Sequence, residues 1–266
     1  MRTACLRFCV LAIAALVVPP ASAAVTIGSG AVVNFADAAV NLGCSDLVMA
    51  GQASATSAVI SAVANLSITG GTFTPASAQL SLGGSFNNAG TFLSGASRIG
   101  IVDACGNGIS AVSGATAFYD LFVRTAAGKQ LVFAASATQS VSHALGLQGT
   151  AGHLLQVVSS VAGQQALINV TPGASQAIAF IDARDNRASG ATIAPGAATT
   201  YSSVDGGNLV NWFANARVDS NGALVPAPLL DVNARAVLLG LLALVAWVAL
   251  RRRSAESSSE SPAWPD

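Results

Sequence analysis

The sequence predicts an all-β chain: a parallel β-helix, or β-solenoid, followed by one carboxyl-terminal apolar segment that reads as a transmembrane helix. A 19-residue internal copy, a series of short β-rich runs, and a composition poor in helix-forming surface residues carry this expectation. In the copy, Gly71-Thr72-Phe73-Thr74-Pro75-Ala76-Ser77-Ala78-Gln79-Leu80-Ser81-Leu82 aligns without gaps to Gly90-Thr91-Phe92-Leu93-Ser94-Gly95-Ala96-Ser97-Arg98-Ile99-Gly100-Ile101. Each unit has a glycine turn, an inward Phe and an alternating aliphatic pair. Such a unit cannot bury its own apolar side, but stacking it on a copy gives a continuous core. Phe73 then lies over Phe92 as one rung of an internal ladder.

Downstream the same texture continues in Phe118–Val123, Gln130–Phe133, Val141–Leu147, Leu154–Val158, Ala166–Val170 and Ile178–Ile181. Strands this short, bounded by Gly, Ser, Asn or Pro, fit a solenoid or a β-sandwich. The direct repeat favours the solenoid. Between residues 24 and 225 stand six basic residues, eight aspartates and no glutamate. Nucleic-acid binding, which needs a basic surface, is not expected. Abundant Ala, Ser, Thr, Gly and Val, with almost no Lys or Glu, points to stacked strands and small-residue turns.

The two ends set the expected organisation. Arg2 and Arg7 precede an apolar run from Phe8 to Val18, followed by Pro19, Pro20 and Ala21-Ser22-Ala23. This is a basic region, a short apolar region and an A-x-A site, so residues 1–23 read as a secretory signal cleaved between Ala23 and Ala24. About 11 apolar residues are too few to cross a hydrocarbon core of about 30 Å. At the other end, Val225-Pro226-Ala227-Pro228 lead to fifteen apolar residues, Ala236 to Leu250, and then Arg251-Arg252-Arg253. A helix of that length spans about 22 Å, so flanking residues must join it, and the arginines should stay cytoplasmic. Residues 24–222 are then the ectodomain, 225–253 the anchor, and 254–266 a polar tail too low in complexity to build a core.

This three-part end resembles the PEP-CTERM-like sorting signals of Gram-negative bacteria, most closely the IPTL-type version. Val225-Pro226 matches its opening dipeptide, whereas Ala227-Pro228-Leu229 departs from the usual threonine-leucine-serine continuation. The resemblance implies three partners: the secretion machinery, the membrane, and a sorting protease of exosortase-like or rhomboid-like type. The middle resembles the repetitive β-rich, adhesin-like stalks of bacterial surface proteins, through the two G-T-F units, Ser85–Phe92, Ala117–Leu121 and Asn208–Phe213. That resemblance implies a parallel β-helix and a surface location. The expected place is the inner membrane with a periplasmic ectodomain, or the cell surface or exterior after processing.

Candidate chemistry is sparse. His143, at an expected corner, and His153 have no Cys, Glu or second His nearby to complete a metal set. No serine sits in a nucleophile elbow, and spacing gives no histidine an acid partner. Catalytic, metal and cofactor residues are accordingly all read as none. Asp182-Ala183-Arg184-Asp185-Asn186-Arg187 could offer oxygen ligands to calcium, but its arginines favour local ion pairs on an exposed turn. Asn65-Leu66-Ser67 and Asn169-Val170-Thr171 match a glycosylation sequon, yet in a bacterial chain they read as strand residues.

Cys44 and Cys105 would oxidise by default after export. Against this, their separation amounts to three coils, or roughly 14 Å of strand spacing, and a disulfide needs Cα atoms within about 7 Å. The bond requires the segment before about Leu66 to leave the regular stack.

The sequence thus points to a non-enzymatic envelope or surface-matrix protein. The alternative is a carbohydrate-binding or carbohydrate-active protein on the same scaffold, meeting an extracellular polysaccharide through aspartates and Tyr119, Tyr201 or Trp212. Amino-terminal sequencing of envelope material should give Ala24 as the first residue; a chain starting at Met1 would overturn this topology.

Overall fold

The computed structural model describes residues 23–213 and the backbone of two short strands at 217–218 and 224–225. Met1–Ala214 and Asn215–Asp266 are separate compact units, and the first holds a parallel β-solenoid of about eight turns.

Three short strand segments, one per face, make each early turn. The first turn has β1 (Ala24–Ile27), β2 (Val32–Asn34) and the start of β3 (Ala39–Met49). The second has the end of β3, β4 (Gln52–Ser54) and the start of β5 (Val59–Ile68). The end of β5, β6 (Thr72–Thr74) and β7 (Gln79–Leu82) follow, and then β8 (Phe86–Asn88), β9 (Thr91–Phe92) and β10 (Arg98–Ile101). Longer turns come next: β11 (Ile109–Ser113) with β12 (Thr116–Arg124), then β13 (Gln130–Phe133) with β14 (Thr138–Gln148). The last are β15 (Leu155–Ser159), β16 (Ala166–Val170) and β17 (Ser175–Ala179), then β18 (Ile181–Ala183), β19 (Asn186–Gly190) and a 3-10 turn at Ala198–Tyr201. β20 (Val204–Asp205) and β21 (Leu209–Val210) end the stack. In the second unit, β22 (Arg217–Val218) pairs antiparallel with β23 (Leu224–Val225).

Register explains the core. Ile60, Leu80, Ile99, Leu121 and Leu145 stand one above another, as do Leu82, Ile101, Val123 and Leu147, and all are buried. The 19-residue copy is two neighbouring turns: Phe73 pairs with Phe92, Leu80 with Ile99 and Leu82 with Ile101. Ring centroids of Phe73 and Phe92 are 5.9 Å apart, and Phe86 and Phe118 complete the cluster, at 5.3 Å from Phe92 and 5.1 Å from Phe86 respectively. The β-sandwich alternative does not hold. Sandwich sheets are antiparallel, whereas every ladder between β1 and β21 is parallel.

Irregular spacing in the later half comes from the corners. Asp120 pairs with Ala144 and Ala144 in turn with Ser175, steps longer than the early period, because loops are added between faces that stay in register. The run Ile178–Ile181 is not one strand: Phe180 takes a φ of +53°, which ends β17 and turns the chain into β18. Among the described residues no helix is long and apolar enough to cross a membrane. The expected transmembrane segment, Ala236 to Leu250, lies outside the described residues, as do the signal residues 1–22.

Phe73→Ala and Phe92→Ala should each cost about 3 to 5 kcal/mol, the usual range for aromatic truncation in a core. Leu93 lies one step along from Phe92 and is 52% exposed. Leu93→Ala should therefore cost no more than about 0.5 kcal/mol. Because the two rings touch, the double mutant should be non-additive. Urea denaturation of the four variants checks this; equal losses at Phe92 and Leu93 would mean that both faces of the strand are covered.

Candidate functional site

Three groupings of polar and aromatic side chains stand out, the first two built by a departure from the regular stack and the third by the stack itself. The first is the corner that joins Cys44 to Cys105 by a disulfide, with Cα atoms 5.3 Å apart. Regular stacking would hold them roughly 14 Å apart. β3 nevertheless stays in the stack, paired with β1 and β5, so among the described residues no cap crosses the first coils. Instead, two corners lean toward each other along the axis. Gly43 and Cys44 take φ of +57° and +63° where the β3 register shifts. The Val102–Gly108 loop folds back over Gly83 and Gly84, where a Cβ on Gly83 would lie 2.3 Å from the Ala104 carbonyl oxygen. Only glycine lets that loop close down.

The same loop is tied in the other direction. Lys129 is buried, and its ammonium donates to the carbonyl oxygens of Gly83 (2.8 Å) and Asn107 and to Ser110 Oγ (3.2 Å). Asp103 Oδ2 accepts from the N–H groups of Ala126 (2.6 Å) and Ala127 (3.0 Å). Burial raises the Asp103 carboxyl, but hydrogen bonds from Thr125, Ala126 and Ala127 and the Lys129 charge outweigh it and hold the group below the ordinary value. Burial pushes the Lys129 ammonium below the usual lysine value, against the opposing pull of Asp103.

The second grouping surrounds Asp120. β12 and β14 slip register between Phe118–Val141 and Asp120–Ala144, so Ser142 and His143 together oppose Tyr119. Such a bulge re-aims side chains. Tyr119 and His143 stack with centroids 4.4 Å apart and planes 10° from parallel. Asp120, itself buried, receives His143 Nδ1 at 2.7 Å and Arg98 Nε at 3.4 Å. A carboxylate can only accept, so Nδ1 carries the proton. Arg98 and Arg124 lie over the Phe122 ring at 4.8 and 5.8 Å. An imidazole oriented by a carboxylate is half of a proton relay. Among the described residues, however, no hydroxyl hydrogen-bonds to its Nε2; the grouping sets stacked rings and guanidinium groups around one buried carboxylate.

The third is an open groove of about 570 Å³ whose lining includes Ile109, Gln130, Gln156, Asp182 and His153. The first four stand in one outward ladder, spanning β11, β13, β15 and β18. Gln130 Nε2 donates to Gln156 Oε1 at 3.3 Å. Amide and carboxylate groups repeating at the strand spacing, about 4.8 Å, can bind an extended polar chain.

The remaining expected residues fall elsewhere. Asp185 is buried rather than on an exposed turn: Asn208 Nδ2 donates to it at 2.6 Å, Arg184 lies 3.8 Å away, and Asn186 beside it is fully buried. Corner stacking turns Asp185 and Asn186 inward and leaves Arg184 and Arg187 exposed. Trp212 is buried and Tyr201 gives its hydroxyl to the Pro195 carbonyl oxygen, so of the three aromatics Tyr119 is the one placed beside charged groups at a surface. Asn65 and Asn169 lie in β5 and β16. Ala24 opens β1 and Val225 lies in β23, while Pro226, Ala227, Pro228 and Arg251–Arg253 are outside the described residues. Among the described residues no three His, Cys, Asp or Glu side chains converge as metal ligands.

Sequence reasoning missed the Asp120–His143 pair, which sits 23 residues apart. A 19-residue period would set His143 beside Arg124. Only the lengthened turn brings Asp120 there. Comparison with family models, curated proteins and solved structures finds no match to this chain.

Asp103 ionises more readily folded than unfolded, so its contribution is complete above the ordinary carboxylate pKa and is lost as pH falls through the lower folded value. Lys129 has the opposite reach: stability gains as pH rises from its lowered folded pKa toward 10.5. Asp103→Asn should therefore flatten the acid limb of stability against pH and leave the slope of the neutral plateau unchanged. Urea midpoints measured over roughly pH 2 to 7, on both sides of the ordinary carboxylate value of about 4, will show this.

Proposed function

We propose that this chain is a non-enzymatic envelope or surface-matrix protein: an exported, adhesin-like β-solenoid stalk held or sorted by its carboxyl-terminal segment. The observation that carries the reading is the Cys44–Cys105 bond, which straps corners three turns apart. Bonds of this kind persist in oxidising compartments, in agreement with the signal-like first residues. A disulfide closing a 61-residue loop contributes about 4 kcal/mol in the loop-entropy account, useful to a stalk outside the cytoplasm. The carboxyl-terminal Val225-Pro226 motif, apolar segment and triple arginine supply the anchor, with the secretion machinery and a sorting protease as partners.

Deleting Ala236 to Arg253 should move the ectodomain from the membrane pellet to the periplasm or medium. Cell fractionation reads this; retention in the pellet would place the anchor elsewhere.

A second reading, carbohydrate binding, is supported by the Gln130–Gln156–Asp182 ladder and by the Tyr119–His143 stack. Titration of soluble neutral and uronic-acid polysaccharides should show at least a tenfold weakening in Gln156→Ala or in Tyr119→Ala, according to which surface binds. Absence of binding to all of them in the parent protein sinks this reading.

A further inference from the structure

Two of the six basic residues between Ala24 and Val225 meet over one ring on the outside of the solenoid. Arg98 in β10 and Arg124 in β12 set their guanidinium carbons 4.8 and 5.8 Å from the centroid of Phe122. Phe122 is half-buried on the outward side of β12, and its register neighbours are Gly100 and Gly146. The ring lies down on Gly146, where a Cβ would stand 2.3 Å from its Cδ1. Gly100 has no such reason: its φ is not positive, and a Cβ there would meet nothing nearer than the Leu80 carbonyl oxygen at 3.5 Å. No bulge explains it either, since β10 pairs with β7 and β12 without a register shift. Glycine weakens a strand interior, and without a bulge or bend it marks a place where a ligand or another backbone comes close.

The patch is braced from below. Asp120 is buried and accepts from Arg98 and from His143, on which Tyr119 stacks. Arg98 remains 54% exposed and spends only part of its five N–H donors on that carboxylate. Arg124 is exposed and, among the described residues, in no ion pair. Asp103, at the corner after β10, is taken up by the N–H groups of Ala126 and Ala127. The patch therefore presents positive charge beside aromatic rings. From Tyr119 to Arg124 it runs about 16 Å along β12 at the usual strand rise. Planar guanidinium forks match planar carboxylates, and ring faces match a chain built of rings. Nucleic acid, with a phosphate at every step, needs a broader basic surface than two arginines.

We propose that the outward face around Phe122 binds an acidic polysaccharide, a chain of sugar rings carrying uronic-acid carboxylates. Arg98 and Arg124 take the carboxylates, Phe122 and the Tyr119–His143 stack meet the apolar faces of the sugar rings, and Gly100 leaves room for the chain against β10. This rests on the carbohydrate-binding reading and assigns it to this face rather than to the groove at Gln130, Gln156 and Asp182, where the Asp182 carboxylate would repel such a chain.

The test titrates the full chain, purified from envelopes, with polygalacturonate, with dextran as an uncharged polysaccharide and with dextran sulfate as a polyanion without carboxylates. Polygalacturonate should bind, and Arg124→Gln should weaken it by about tenfold, the loss of one charged hydrogen-bonding group. Arg124→Lys should not restore it, because lysine keeps the charge without the planar fork. Gly100→Val should weaken binding by a similar factor without lowering the urea midpoint, since valine suits a strand and has space there. Arg187→Gln removes an exposed arginine of β19, outside the patch, and should change nothing. Arg98 is kept in every variant because it pairs with the buried Asp120. Dextran sulfate bound as tightly as polygalacturonate, full rescue by Arg124→Lys, unchanged affinity in Gly100→Val, or an equal loss in Arg187→Gln would each overturn the proposal. Binding of dextran but not of polygalacturonate sinks this assignment and leaves the carbohydrate reading standing, whereas no binding to any of the three sinks both.

Discussion

Each turn of this chain can bury its apolar side only against the turns above and below, and everything else in the structure follows from that dependence. Parallel in-register pairing places Ile60, Leu80, Ile99, Leu121 and Leu145 in one column. Shifting any strand by one residue would turn its whole apolar set outward. Faces are therefore kept in register while corners vary freely in length, which is how the short turn from Phe73 to Phe92 and the long one from Ala144 to Ser175 coexist in one stack. At the terminal turns burial is uneven: Trp212 and Phe213 are buried at one end, while in β1 Ile27 is buried and Val25 is 43% exposed.

Corners do the work that a globular protein assigns to long loops. The Val102–Gly108 loop is bound back along the axis through Cys105 and forward through Asp103, and the buried Lys129 ammonium holds its floor. A buried cation is costly unless its donors are satisfied, and here two carbonyl oxygens and a hydroxyl satisfy them. The strap joins turns that strand pairing alone links only stepwise. It runs along the early short turns, from β3 to the loop after β10, where longer turns begin.

The outward side chains give the functional readings their substance. They are mostly amides and hydroxyls with a few charges and aromatic rings. The β12–β14 bulge shows how such a surface gains a feature: one extra residue is enough to set His143 on Tyr119 and hydrogen-bond it to Asp120.

By itself the sequence favoured the β-solenoid class over a sandwich, because an inward Phe and an aliphatic pair, repeated at one short fixed spacing, bury most readily against a stacked copy; parallel pairing in the structure decided between the two. It also determined the Phe73–Phe92 contact and most of the later strands, whose alternation is local information. Tertiary structure alone decided what happens where the period breaks. The 19-residue spacing could not place Asp120 beside His143, because the intervening turn is longer, nor could it pull Cys44 within 5.3 Å of Cys105, because both corners bend along an axis that sequence distance does not measure. Lys129 stands in the sequence only as one of six basic residues, and the structure brings Gly83, Asn107 and Ser110 around its ammonium. Periodicity fixes which residues face inward, since it is a property of the strand; which corners meet depends on the lengths of all the turns between them.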